Sequence, residues 1–366
     1  MLNETRLASL RELMAQRGID AVVVVPSANL FYLTGVQMHL SERVTLLLVT
    51  RSDAHLLVPA LEVPRVQARA RVPLKLHAWS DAEWVQAGWL GLKKNIALDG
   101  QQIAVDYYSV RALELAQLQT AAPGATFSDA SPLFETLRMR KDAAEVDAMR
   151  RAARVLETSM DALLPEVRVG KTERELAARW QWLMFEHGAD GIPDAPIVAS
   201  GPNTALPHTT ATERELAKGD LLILDGWCAV DGYFGDITRT FAIGSVTDEL
   251  KHICDLALRA NQAGRAAVKP GAQCQEVDRA ARQVIADAGF GEYFTHRTGH
   301  GLGLEVHEAP NIVEGAKRIL APGNTFTIEP GIYLAGKGGV RIEDDIVVTQ
   351  DGGESMMVSA RELRVL

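Results

Sequence analysis

The feature that most constrains this chain is a repeat within its C-terminal two thirds. Val167-Arg168-Val169-Gly170 leads into a helical stretch bearing Glu175-Leu176, and Val268-Lys269-Pro270-Gly271 leads into one bearing Glu276-Val277. Both matches stand at an offset of 101 residues, 268 against 167 and 276 against 175. A long helical pattern precedes each copy, over 141 to 164 and 247 to 267, and an acidic strand pair follows each. In the first of these helices Val146, Met149, Ala153, Leu156, Met160 and Leu163 alternate steps of three and four, which puts one apolar stripe on it. An order kept over four elements predicts two related halves, each helix, helix, hairpin. Such an α+β domain with pseudo-two-fold halves sets its hairpins side by side, with room for a site between them.

The N-terminal third reads differently. Leu7, Leu10, Leu13 and Met14 recur at helical spacing and Gly18 marks that helix's end. Ala21 to Val25 is an apolar β-branched run suited to a sheet covered on both faces. Val44 to Val49, Ala54 to Val58, Leu74 to His77 and Ile96 to Leu98 repeat the theme, with helical stretches between several of them. We expect a small α/β domain with a largely parallel or mixed sheet, and it carries no phosphate-cradling glycine loop. The boundary is placed near 130 to 140, giving domains of 1–135 and 136–366.

The strand pairs carry the chemistry. Asp220 to Asp225 is an apolar strand ending in a carboxylate, Asp231-Gly232 is a two-residue hairpin turn, and Tyr233 to Phe241 returns. That turn sets Trp227 opposite Asp236 and Asp225 opposite Thr238. Asp225 and Asp236 are then diagonal neighbours on one face, roughly 5–8 Å apart. Two like charges that close repel unless a cation lies between them; the alternative is a slipped register that turns one aspartate to solvent. A second hairpin is read in Thr325 to Pro330 followed by Val340 to Asp344, with the turn supplied by Gly331, Gly336, Gly338 and Gly339. It adds Glu329 and Glu343, one per strand, and Arg341 on the face of Glu343.

Between the hairpins lies Gly299-His300-Gly301-Leu302-Gly303-Leu304-Glu305-Val306-His307-Glu308. A lone histidine is more often structural, but this stretch keeps company with four carboxylates. Its glycines read as clearance for close approach of a ligand or metal. Four carboxylates and His300 suit hard or borderline ions such as Mn²⁺, Co²⁺ or Zn²⁺, and two ions better than one.

Bulk numbers exclude other classes. There are 38 basic and 47 acidic residues, a net charge of −9, which argues against a nucleic-acid or anionic-membrane surface. Cys228, Cys254 and Cys274 are odd in number and lack CxxC spacing, so neither a disulfide framework nor a thiolate site is expected. No apolar signal region opens the chain and no run is long enough to span a membrane. The expectation is a soluble cytoplasmic protein.

These motifs resemble the creatinase/aminopeptidase "pita-bread" metallopeptidases, and the two-domain layout resembles their Xaa-Pro dipeptidase (prolidase) and aminopeptidase P branch. The resemblance rests on Leu224-Asp225-Gly226, Gly235-Asp236-Ile237-Thr238-Arg239-Thr240, Thr298-Gly299-His300-Gly301, Ile328-Glu329-Pro330-Gly331 and Val340-Arg341-Ile342-Glu343-Asp344. It covers essentially the whole chain, the N-terminal third more loosely. It implies that Asp225, Asp236, His300, Glu329 and Glu343 hold two divalent ions per subunit, Mn²⁺ first, with Co²⁺ or Zn²⁺ as alternatives. It implies hydrolysis of a small peptide with proline second. Glu329 would serve as general base then acid, and His307 would meet the carbonyl oxygen. His208 and His296 would position the proline end, and Arg341 would orient the carboxylates.

His296 also fits a plain loop histidine, and Tyr333, at another family position, also fits a core tyrosine. Gly235 departs from the family's frequent small hydroxyl residue, with little consequence expected. For the substrate's free carboxylate, Lys317-Arg318 looks exposed. Arg43 is a candidate on the N-terminal domain, which in relatives helps close the site, often from a neighbouring subunit; a solvated strand-end role fits Arg43 equally. A homodimer is expected. The rival readings are an Xaa-Pro aminopeptidase for longer peptides, a hydrolase or lyase of a small osmolyte on the same site, and a metal-free binding module.

Overall fold

The computed structural model describes residues 2–366, which divide between Leu137 and Arg138 into two compact units. The first holds helices α1 (Leu2–Gln16), α2 (Ala28–Thr34), α3 (Val63–Arg69), α4 (Trp84–Lys93), α5 (Ala112–Ala121) and all but the last residue of α6 (Ser131–Arg138). Its strands are β1 (Ala21–Val24), β2 (Leu46–Thr50), β3 (Ala54–Pro59), β4 (Lys75–Trp79), β5 (Gln102–Val105) and β6 (Thr126–Asp129), in the order β4-β3-β2-β1-β5-β6. The sheet is mixed: β2 runs antiparallel to β1 and β3, and the other neighbours are parallel. β1 sits inside it with every residue buried, as a β-branched run on a two-sided sheet should be.

One expected strand is absent. Ile96–Leu98 is an irregular segment entering the Asp99-Gly100 turn, where Gly100 has φ +74°. Leu98 is buried in the core and Ile96 packs against it, so the apolar signal is one of packing without strand pairing. The neighbouring strand is β5, which begins at Gln102.

The second unit begins with α7 (Ala143–Leu163) and α8 (Glu173–Glu186), followed by β7 (Ile197–Ser200), β8 (Leu221–Val230) and β9 (Tyr233–Ala242). Next come α9 (Asp248–Ala267), α10 (Cys274–Asp287), β10 (Gly299–Gly301), β11 (Glu308–Ile312) and β12 (Thr325–Ile328). The chain ends with β13 (Gly331–Leu334), β14 (Gly338–Arg341), β15 (Asp344–Val348), β16 (Gly353–Ser355) and β17 (Arg364–Val365). The sheets are β17-β9-β8-β7, β11-β10-β12-β15-β16 and the pair β13-β14.

The repeat is structural, and its conserved letters have physical reasons. Glu175 and Glu276 are each the third residue of their helix, where a carboxylate can reach back to the backbone N–H that precedes the helix. Glu175 accepts from Thr172 N at 3.0 Å, and Glu276 from Gln273 N at 2.8 Å. Gly170 and Gly271 take φ of +85° and +90°. That left-handed backbone disfavours any side chain. Gly170 N donates to Leu216 O at 3.0 Å, and Gly271 N to Leu320 O at 2.9 Å. Leu216 N in turn donates to Lys171 O, and Leu320 N to Ala272 O. The same backbone clasp recurs in both halves.

Cys228, Cys254 and Cys274 are buried free thiols. No helix among the described residues is long and apolar enough to cross a membrane.

Candidate metal centre

The β8–β9 hairpin has the register its turn dictates: Asp225 pairs with Thr238 and Trp227 with Asp236. Asp231 and Gly232 both have positive φ, +53° and +82°. A type I′ turn requires this of both central residues.

The second hairpin is broken in two. β12 pairs with β15, ending at Ile328 opposite Asp344, and β13 pairs with β14, beginning at Gly331 opposite Arg341. Carrying the outer register on by one residue sets Glu329 opposite Glu343, in the gap. Pro330 has no N–H to give there, and the ladder's donors go elsewhere: Glu329 N to Thr298 O at 2.8 Å, Glu343 N to Thr238 O at 3.1 Å. The break therefore turns Glu343 towards the first hairpin and seats Glu329 beside Thr298 and His300 of its own half. The Glu343 carboxylate accepts from Thr238 Oγ1 at 2.6 Å, opposite Asp225 in the first hairpin.

Three of the five predicted ligands converge, Glu329 lies beside them, and Asp225 is near enough for its charge to act on Asp236 and Glu343. One oxygen each from Asp236 and Glu343 and one nitrogen of His300 lie within 4.8 Å of one another, all three residues buried. Glu329 Oε1 is 3.3 Å from His300 Nε2. Asp225 Oδ2 accepts from Arg341 Nη2 at 2.5 Å. His300 Nδ1 lies 3.1 Å from the carbonyl oxygen of Gly301. A carbonyl only accepts, so Nδ1 carries the proton and Nε2 offers its lone pair inward. Burial, with His307 and Arg297 nearby, pushes the His300 pKa well below the usual range and keeps the ring neutral.

The carboxyls are buried and act on one another. Burial pushes Asp236 well above the usual carboxylate range, helped by Glu343 and Asp225. Glu343 is likewise raised by burial, then by Glu329 and Asp225. Glu329 is pushed up to about 7 by burial, against the pull of Arg341. Asp236 Oδ1 is buried and makes no hydrogen bond among the described residues. Buried carboxylates of this kind need a compensating cation, and the donors fit a hard or borderline divalent ion.

Around the cluster runs a chain of hydrogen bonds. Arg341 donates through Nη1 to Tyr333 Oη at 2.7 Å, and Tyr333 donates to His296 Nε2 at 2.9 Å. His296 Nδ1 donates to Arg297 O at 2.7 Å, so both ring nitrogens are committed. Burial lowers the His296 pKa to about 4 and raises that of Tyr333 to about 12. Tyr333 is thus buried and also part of the site's wiring. His307 is exposed and meets the His300 ring edge-on at 4.1 Å between centroids. His208 is exposed too, near enough for its charge to act on His296 and His307.

The glycines do a different job from the one expected. A Cβ on Gly299 would lie 1.8 Å from the carbonyl oxygen of Thr327, and one on Gly301 2.2 Å from that of Ala309. The clearance admits the neighbouring chain, where direct approach to a metal was expected. Gly235 is also constrained: a Cβ there would stand 2.8 Å from the Ala153 nitrogen of α7, so the departure from a hydroxyl residue matches close helix packing.

Three groups escaped the sequence reading. Asp345, fully buried, accepts from Asp236 N at 3.0 Å and is held well above the usual range by burial. Arg297 adds charge beside Glu329. Glu308, next to His307, is buried between Lys141 Nζ, at 2.7 Å, and Arg138. Burial would raise its pKa, but those two cations outweigh it and hold it low. No local pattern announces partners about 170 residues apart. Glu308→Gln takes the shared anion from two buried cations, a loss of roughly 3–5 kcal/mol. Calorimetry should show Tm lower by about 10 °C; an unchanged Tm would show that the cluster does not fasten this loop.

Residues 147–350 match the metallopeptidase family M24, and residues 6–140 match the creatinase/prolidase N-terminal domain. The chain belongs to metallopeptidase family M24. It is 32% identical over 363 residues to an Xaa-Pro dipeptidase of Pyrococcus horikoshii, covering 99% of each chain. It is 37% identical over 371 residues to a probable dipeptidase, PepE, of Mycobacterium tuberculosis, covering 99% of this chain and 96% of that one. A prolidase from Thermococcus sibiricus superimposes over the full length of both chains with a TM-score of 0.95 at 34% identity. The architecture is thus a creatinase-type α/β unit followed by a pita-bread catalytic unit, and the protein is a metal-dependent peptidase.

Proposed function

We propose that this chain hydrolyses Xaa-Pro dipeptides as a homodimeric, cytoplasmic, manganese-preferring enzyme with two ions per subunit. The observation that carries this is the buried set of Asp236, His300 and Glu343, joined by Glu329 and Asp225, in a chain whose relatives include a named Xaa-Pro dipeptidase. Free buried thiols and a net charge of −9 agree with a reducing, aqueous compartment.

Asp225, Asp236, His300, Glu329 and Glu343 would hold the ions. When bound, such ions supply Lewis acidity that makes water a nucleophile at neutral pH. The rest falls to the chain's side chains. Glu329 accepts the proton of the attacking water and returns it to the leaving imino nitrogen. That nitrogen carries no hydrogen before cleavage, which is why ordinary peptidases handle the bond poorly. His307, exposed beside His300, donates to the carbonyl oxygen as charge develops on it. His296 has no free nitrogen, so it offers ring surface to the proline, while His208 supplies the polar contact. Arg341 is fully engaged with Asp225, Tyr333 and Thr238 and acts by holding Asp225 in place.

Ala-Pro and Ala-Pro-Ala, assayed with and without added Mn²⁺, test the reading. We expect Mn²⁺-dependent cleavage of the dipeptide with kcat/KM on the order of 100-fold above the tripeptide. Preference for the tripeptide would make the enzyme an aminopeptidase.

A further inference from the structure

A dipeptidase must recognise a free carboxylate one residue beyond the bond it cuts, and two of the arginines that could do so already have carboxylate partners. Arg341 is buried and committed to Asp225, Tyr333 and Thr238. Arg43 is paired with Asp81 at 2.9 Å and with Glu42 on the first unit.

Resting on the dipeptidase reading, we propose that Arg297 is the carboxylate-binding residue that makes this enzyme measure its substrate's length. Its backbone is pinned. Arg282 donates to Phe294 O at 2.9 Å and His296 O at 2.8 Å, while Thr298 is tied to Asp278 and to Ile312. Its side chain is aimed. Nη1 donates to Asn311 Oδ1 at 2.6 Å, and Asn311 is the ladder partner of His300. Directly opposed residues of an antiparallel pair project from the same face. The Arg297 guanidinium therefore stands on the face that carries the His300 imidazole. Its charge acts on Glu329, His300 and His307, as that position requires.

The group is also available. Arg297 is half-buried and Asn311 exposed, so the guanidinium reaches solvent. That one hydrogen bond to Asn311 is its only one among the described residues. A guanidinium has five N–H donors in a fixed fork that suits a carboxylate with two parallel bonds. Asn311 holds the fork by one edge and leaves the other for the substrate. A peptide continuing past proline has an amide there, with an N–H and a single oxygen, and loses both the charge and the second acceptor. Arg297 is thus a specificity determinant set beside the catalytic group without being one of the ligands.

The test compares Ala-Pro with Ala-Pro-amide in the Mn²⁺-loaded wild type, Arg297→Met and Arg297→Lys, and measures binding of L-proline against L-prolinamide by calorimetry. The wild type should favour acid over amide by about 100-fold in kcat/KM, carried by KM. Arg297→Met should bring that ratio to within a few-fold of one, and Arg297→Lys should restore part of it. L-proline should bind the wild type at least about tenfold more tightly than L-prolinamide, a difference lost in Arg297→Met. A ratio preserved in Arg297→Met, or equal losses on acid and amide, overturns the proposal. Failure of the wild type to cleave either peptide defeats the dipeptidase reading instead, and the L-proline comparison then decides Arg297 alone.

Discussion

Asp236→Asn should make the metal-free protein more stable at pH 8 while abolishing its response to metal and its hydrolysis. The sign follows from the burial of Asp236, Glu343 and Glu329, whose pKa values all lie above their ordinary range, Glu329 at about 7. The folded state therefore holds protons that the unfolded state has released. The stability these groups contribute is fully present below pH 4, the ordinary carboxylate range, and is lost as pH rises through their folded values. Without metal the wild type should weaken steadily between about pH 4 and 8, by a few kcal/mol. An amide at position 236 removes one buried charge and part of that loss. With metal the order reverses, because an ion that binds only the folded wild type stabilises it by about 2.7 kcal/mol at 100 times its Kd. Thermal melts at pH 5 and pH 8, with chelator and with Mn²⁺, read all four corners. A metal-free Asp236→Asn melting below the wild type at pH 8 would contradict the charge account.

Glu329→Gln should lower kcat on Ala-Pro by about 10³-fold with little change in KM, the size expected for a lost general acid–base. Glutamine keeps an oxygen where Glu329 Oε1 lies 3.3 Å from His300 Nε2, but it neither takes nor returns a proton. Metal content must be measured beside activity: a variant that keeps its metal and loses kcat isolates the proton transfer. Activity within tenfold of wild type at full metal occupancy would assign the proton to another group. His307, which touches the His300 ring, would be the next one to replace.

Much of this site was legible because local rules fix it. Asp231-Gly232 permits one register, and that register alone puts Asp225 and Asp236 on one face. The recurrence of Gly170 with Glu175 and of Gly271 with Glu276 is capping and turn chemistry, so it survives as letters. What stayed hidden depends on distant partners. The glycines flanking His300 answer to the carbonyls of Thr327 and Ala309. The break in the second hairpin follows from donors drawn off to Thr298 and Thr238. Ile96–Leu98 looks like a strand because packing against a core and pairing in a sheet ask for the same residues. Arg297 reads as a loop arginine until the β10–β11 ladder brings Asn311 opposite His300.

Peptide cleavage is proposed to depend on ions held by five side chains from both halves. Titrating Mn²⁺ into chelator-treated protein, following Ala-Pro hydrolysis and bound metal in the same samples, tests it most directly. Activity should be absent at the start, return with binding and level off at about two ions per chain. Hydrolysis that persists after complete chelation, or metal uptake unchanged in Asp236→Asn, would contradict it.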